Sequence, residues 1–306
     1  MSIIISDLHL KKKTPYYESY QFFLRWLIDN YNDEVMVFLG DVFDTSAPQW
    51  EVYDDFKNFL YNRKNETHIL SGNHDISTIK GNSVYSFRKM EGVSVYKVPE
   101  TITIENHNCL MLPFLYTNMK EEYEKLDGVY DFIFTHVTTP ETAFGEEGLE
   151  LKMKGTYLHG HTHTQLDYSR SGNQHYVIGC PYSTRHGEQN QNHRIAKIND
   201  DKSIDFIPVP QYFTFRDVEY GDDIKEEWKN DIINIQNAPS VHSVHDKYKG
   251  FNIRETGITL KEFEGESDDA VFEFSEDALQ NYFNEFKTET ELGSEEFNTI
   301  MGYLDK

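Results

Sequence analysis

Cysteine is scarce: Cys109 and Cys180 are the only two in 306 residues, too few and too far apart for a disulfide framework or a thiolate zinc site. Long apolar runs are missing as well. No stretch approaches the roughly 20 residues that cross a bilayer, and Met1 leads into Ile3-Ile4-Ile5 without a basic stretch or cleavage site. A soluble protein of a reducing cytoplasm, with no membrane association, is expected. Positive charge is the third deficit. The net charge of -23 weighs against a nucleic-acid ligand, because affinity for phosphates comes from clustered Lys and Arg. The imbalance is uneven, however. Residues 211–306 carry 23 Asp and Glu against 9 Lys and Arg, a balance of -14, which leaves -9 for residues 1–210. Two divalent cations would bring about +4 to the place where they bind, and that local charge outweighs distant surface carboxylates. Net charge alone does not exclude DNA.

What is present is ample material for a core. Hydrophobic residues make up 38% of the chain, with 20 Tyr and 21 Phe, and the length suits one large domain with a smaller appendage. Short apolar strands alternate with amphipathic helices, the signature of a layered α/β fold. Strands are expected over 3–6, 35–39 and 68–70. Between them, Tyr16, Tyr20, Phe23, Leu24, Leu27 and Ile28 recur at helical spacing, and a second helix is expected over 49–62 after Pro48. Further strands are read over 93–98, 101–104, 109–112 and 131–134, with a helix over 121–126. From residue 157 the strands shorten, over 157–158, 176–178, 194–198 and 204–209, as expected of a second sheet packed on the first. The expectation is two packed β-sheets flanked by helices. Residues 1–220 read as the main domain and 221–270 as a small acidic cap or linker. Residues 271–306 carry two helical patterns, one with Ser275 as N-cap; the pair either packs on its own domain or docks a partner.

Five polar motifs occur in order: Asp7-x-His9, Gly40-Asp41-x-x-Asp44, Gly72-Asn73-His74-Asp75, a lone His136, and Gly160-His161-x-His163. Each ends an expected strand, and loops at the carboxyl ends of strands in open α/β sheets can converge on one spot. These residue types suit hydrolysis of a phosphoester with two cations about 3.5–4 Å apart, which need a bridging carboxylate and mixed N and O ligands. Asp41 is the natural bridge. Asp7, His9 and His163 can complete one cation site, and Asn73, His136 and His161 the other. His74, beside a ligand, is the candidate acid for the leaving oxygen. Imidazole, carboxylate and amide ligands accommodate manganese, iron or zinc alike. Singly each motif is weak; in this order they are strong.

With these motifs the sequence resembles the calcineurin-like metallophosphoesterases over residues 1 to about 165. Gly40-Asp41-Val42-Phe43-Asp44-Thr45, Gly160-His161-Thr162-His163-Thr164-Gln165 and Gly179-Cys180-Pro181 are similar to the SbcD family of DNA-repair nuclease subunits. The bacteriophage recombination endonuclease subunits of that family give the nearest likeness, out to about residue 220. The resemblance implies a sandwich fold in the cytoplasm of a bacterial cell and a manganese-dependent nuclease acting on DNA ends. That nuclease would work as a homodimer bound to an SbcC-type coiled-coil ATPase in DNA repair and recombination. It also implies a catalytic His74, with Asp75 orienting it, and substrate contacts from Tyr182, Arg185 and His186. His159 reads either as a residue behind a ligand or as an inward-facing strand residue. The sequence departs from the family in its short acidic 221–270 region, so grip on DNA does not carry over. A stand-alone phosphatase or cyclic-nucleotide phosphodiesterase would share every ligand, and a non-catalytic scaffold would not need them.

Overall fold

The computed structural model describes residues 1–79, 81–143, 148–184, 188 and 192–254. The helices expected over 274–286 and 294–304, and with them the 271–306 segment, lie outside the described residues. In β1 (Ser2–Ile5) the three isoleucines are fully buried because both faces of the strand are covered. Ile3 and Ile5 join Tyr20, Phe23, Leu24 and Leu27 of α1 (Tyr16–Tyr31), whereas Ile4 points the other way, into a cluster with Phe132, Phe134 and Leu158. Alternation along an extended chain makes that division. β2 (Val35–Phe38) repeats it. Met36 and Phe38 face Val52, Phe56 and Phe59 of α2 (Trp50–Tyr61), while Val35 and Val37 face the inner cluster.

Next come β3 (Thr67–Leu70), a short hairpin of β4 (Ile76–Ser77) and β5 (Gly81–Asn82), and β6 (Val93–Tyr96). β7 (Glu100–Ile104), β8 (His107–Leu112), α3 (Met119–Glu124), β9 (Val129–Thr135) and β10 (Lys154–His159) follow, then β11 (Leu166–Arg170) and β12 (Asn173–Val177). β13 (Arg194–Ile198) and β14 (Ile204–Pro208) complete the two large sheets. The first runs β14-β13-β1-β2-β3-β6 and the second β11-β12-β10-β9-β8-β7. β1, β2, β3 and β6 are parallel, as are β12, β10, β9 and β8. Ile133, Tyr157, Leu110 and Leu112 pack outward with Tyr123 of α3. The architecture is therefore α/β, two packed β-sheets flanked by helices, as expected.

One expectation about the sheets is corrected. The strands over 194–198 and 204–209 do not build the second sheet; they return to the first, β13 lying antiparallel to β1. The second sheet instead starts at β7. Alternation reveals a strand but not its neighbour, and Ile195 on one face with Ala196 and Ile198 on the other would fit either sheet. Beyond these strands, β15 (Phe215–Glu219), β16 (Ile232–Gln236), α4 (Val241–Lys247) and β17 (Asn252–Ile253) form a small parallel sheet with a helix. Val218, Ile233, Ile235, Val244 and Tyr248 give it a core. Ser240 caps α4, accepting from the Ser243 N–H at 3.2 Å. The described part of 221–270 is thus packed, its sheet taking its first strand from before residue 220.

Phe56 is fully buried and sits 5.6 Å from Phe38, 5.8 Å from Phe43 and 5.5 Å from Phe87 between ring centroids. Phe56→Ala should cost about 3–5 kcal/mol in urea unfolding, whereas exposed Trp50→Ala should change stability by less than about 0.5 kcal/mol. A second expectation concerns pH. His159 and His175 face each other between β10 and β12, Nε2 to Nδ1 at 2.9 Å, with Thr135 Oγ1 2.7 Å from the other His159 nitrogen. Burial holds His159 down to about 3 and His175 to about 4, so both are neutral in the fold. In the unfolded chain they protonate below about 6.5, and unfolding takes up protons in the interval between. Stability should fall as pH drops from about 6.5 towards 4. His175→Asn should make the plot of urea midpoint against pH shallower in that window; an unchanged slope would contradict the neutral pair.

Candidate metal centre

Loops leave the carboxyl ends of β1, β2, β3, β9 and β10 and carry, in turn, Asp7 and His9, Asp41, Asn73 and His74, His136, and His161 with His163. Backbone bonds lash the first two loops together: Asp7 N–H to Gly40 O (3.3 Å), His9 N–H to Asp41 O (3.0 Å) and Leu10 N–H to Val42 O (3.0 Å). The chain curls sharply. Asp7 (φ 50°), His9 (φ 45°), Asp41 (φ 49°) and His161 (φ 74°) all occupy the left-handed region, which side-chain-bearing residues seldom adopt and which concentrates at functional sites. Two glycines make room. A Cβ on Gly40 (φ 97°) would overlap the His136 ring, and one on Gly72 would overlap the Asp41 carboxylate.

The seven side chains of the sequence motifs come together. Asp41 Oδ2 lies 3.6 Å from His9 Nε2 and 3.4 Å from His136 Nε2, while Oδ1 accepts the His74 N–H at 2.8 Å. Asn73 Oδ1 faces two imidazoles, His136 Nε2 at 3.0 Å and His161 Nδ1 at 2.9 Å. Asp7 accepts from the His161 N–H at 3.1 Å and from the Ser6 hydroxyl. Ligand atoms of Asp7, His9 and His163 lie within 4.8 Å of one another, and so do those of Asp41, His136 and His161. Asp7, His9, Asp41 and His136 are buried, so water cannot satisfy them freely. His9 Nε2 is buried with no hydrogen-bond partner among the described residues. An unpartnered imidazole nitrogen among carboxylate and amide oxygens is what a divalent cation requires, and the donor set fits a pair of them.

A model of the calcineurin-like phosphoesterase family matches residues 2–165. The chain belongs to that family. No curated protein matches it. One solved structure similar to it is described as a novel archaeal phosphodiesterase, at a TM-score of 0.40 and 15% identity, covering 68% of this chain and 99% of that one. As a calcineurin-like phosphoesterase the protein is a metal-dependent hydrolase of phosphoester bonds, and members of the family normally bind two divalent metals.

The electrostatics of this phosphoesterase follow from burial opposed by partners. Burial disfavours the charge on Asp41, yet His136, His9 and His74 outweigh it and hold the carboxyl below the usual carboxylate range. Burial likewise works against a charged His136, but the facing Asp41 pushes it up to about 9. Asp44, half-buried, is drawn down to about 2 against burial by His9 and Lys11. Asp75 goes the other way, to about 7, because burial and the Asp41 charge exceed the help of its N–H donors.

Two expected roles are corrected. Asp75 does not touch the His74 ring. Its carboxylate accepts backbone N–H groups of Phe43 (3.2 Å), Val42 (3.4 Å) and Gly72 (3.0 Å), stapling the second and third loops together. His74 Nδ1 is instead held by the Asp44 carbonyl oxygen at 2.9 Å. Tyr182 is buried at 3% exposure, its hydroxyl donating to Leu8 O at 2.6 Å, so it supports a ligand loop from beneath rather than facing substrate. Arg185 and His186 lie outside the described residues. His159 is an interior strand residue. Sequence reading missed Glu188, whose contact with His163 spans 25 residues of chain and leaves no spacing signal. It also missed Lys11, which follows the first motif directly and could have been found by that position.

Because Gly72 touches Asp41, Gly72→Ala should lower manganese affinity by about tenfold or more in calorimetric titration, in line with disturbing a group that orients a ligand. Its far-ultraviolet circular dichroism should stay that of the wild type.

Proposed function

We propose that the protein is a nuclease subunit that hydrolyses phosphodiester bonds at DNA ends, exonucleolytically and endonucleolytically, with two manganese ions held by Asp7, His9, Asp41, Asn73, His136, His161 and His163. The observation that carries this reading is the lining of one cleft of about 420 Å³. His9, Asp41, Asn73, His161 and His163 line it, beside five threonines and, among the described residues, a single lysine or arginine, Lys11. One ammonium with neutral hydroxyls suits the single charge of a phosphodiester better than the near-double charge of a phosphomonoester. The motif resemblance to SbcD-type subunits supports DNA as the polymer. It likewise supports a homodimer working with an SbcC-type ATPase docked through residues 271–306.

When bound, the cations supply charge neutralisation at the phosphate and an activated water. The chain's own residues do the rest. Asp41 lies between the two ligand groups and holds them in register. His74 is exposed at the cleft, and the Asp44 carbonyl oxygen accepts its Nδ1 hydrogen, so that the imidazolium form, with a second hydrogen on Nε2, would hand that proton to the leaving oxygen and stay behind as the neutral ring. Lys11 Nζ is steadied by Asp44 Oδ1 (3.2 Å) and Thr184 O (3.3 Å), which leaves a third N–H for a non-bridging phosphate oxygen.

The test is an assay of the purified protein with manganese on linear double-stranded DNA, cyclic nucleotides and a generic phosphomonoester. DNA cleavage is expected; activity confined to the small substrates would refute the nuclease reading in favour of a stand-alone phosphatase or cyclic-nucleotide phosphodiesterase. Asp41→Ala should abolish hydrolysis of every substrate. His74→Ala should lower kcat by about 10²–10⁴-fold with metal stoichiometry intact, and Lys11→Ala should raise KM more than it lowers kcat.

A further inference from the structure

The segment that follows β12 closes back on the centre, and its contacts reach two ligand-bearing loops. The Cys180 N–H donates to His163 O at 3.2 Å, and Gly179 (φ 75°) packs so closely that a Cβ there would come 2.7 Å from the same oxygen. Further along, Glu188 is buried at 2% exposure and places Oε1 2.8 Å from His163 Nδ1. Its second oxygen accepts the Thr184 N–H at 2.7 Å and lies 3.2 Å from the Thr184 hydroxyl. The segment is itself anchored. His193 binds Cys180 O at 2.9 Å and the Ser183 hydroxyl at 3.0 Å, and Tyr182 binds Leu8 O between Asp7 and His9.

We propose that Glu188 is a positioning residue for His163: it accepts the Nδ1 hydrogen, fixes the tautomer and the ring plane, and so presents Nε2 to a divalent cation shared with Asp7 and His9. The inference rests on the metal-centre reading above. A buried carboxylate with a backbone donor on one oxygen is rigid enough to orient the ring held by the other, and a carboxylate behind a ligating imidazole also raises its basicity. A purely structural Glu188 would pin Thr184 and leave His163 indifferent, so the two roles separate in metal binding rather than in stability.

The experiment is a manganese titration of the full chain by calorimetry, with electron paramagnetic resonance of the loaded protein and nitrogen NMR of the histidine rings with zinc in place of manganese. Wild type is expected to bind two ions and to show a coupled pair. Glu188→Ala should weaken one of the two ions by about 10–100-fold, replace the coupled spectrum by that of a single ion, and lose the Nδ1-protonated signature of His163. Glu188→Gln, nearly equal in shape and still able to accept from Nδ1, should fall between them. It also serves as the decisive variant if the alanine form does not fold. Two ions bound by Glu188→Gln and Glu188→Ala with wild-type affinity and an unchanged His163 tautomer would overturn the role of Glu188. Failure of the wild type itself to bind manganese, iron or zinc would overturn the metal centre instead.

Discussion

Everything at the site depends on keeping one carboxylate buried. Asp41 is 1% exposed, and an ionised group in that position is costly unless charges and donors surround it. The fold surrounds it with His9, His136 and the His74 N–H, each from a different loop. Those loops stay in place because their strands are pinned between helices and a second sheet by side chains with no freedom to shift: Ile3, Ile4, Ile5, Met36, Val37 and Ile133 are all at 0% exposure. A rigid, dry core carries a polar rim in which His9 Nε2 has no hydrogen-bond partner among the described residues, and a cation would take up that nitrogen.

The price is visible in the backbone. Four of the candidate ligands adopt left-handed φ values, and two glycines touch their side chains. Such strain persists only where surroundings over-determine it. Here the surroundings are Asp75, binding three backbone N–H groups of two loops, and Tyr182, holding Leu8 from below. The family resemblance implies more active roles for both residues. Their real contribution is to hold steady the loops that present the ligands.

Net charge describes the whole chain, whereas a site responds to the charges near it. Electrostatic influence falls off over about 10 Å at ordinary ionic strength, so a sum over all 306 residues says little about the field at a cleft. What governs that field is local: Lys11 braced against Asp44, the histidines, and the charge of bound cations. A chain of net charge -23 can in this way present phosphate with a favourable site.

The sequence by itself determined the helices of the two large layers, their strands apart from β11, and the seven side chains at the strand ends, because alternation, helical spacing and polar tips are local properties of the chain. Strand partnership was beyond it. β13 and β14 joined the first sheet, and Ile232–Gln236, inside the stretch read as an acidic cap or linker, became a largely buried strand, since hydrogen-bonding neighbours are chosen by what else is left unpaired. Tertiary structure alone decided that Asp75 binds backbone rather than His74, that Tyr182 lies beneath the cleft, and that Glu188 meets His163 across 25 residues of chain. Each of these is a contact between segments distant in sequence, and no local pattern encodes the direction a side chain takes once the loops close.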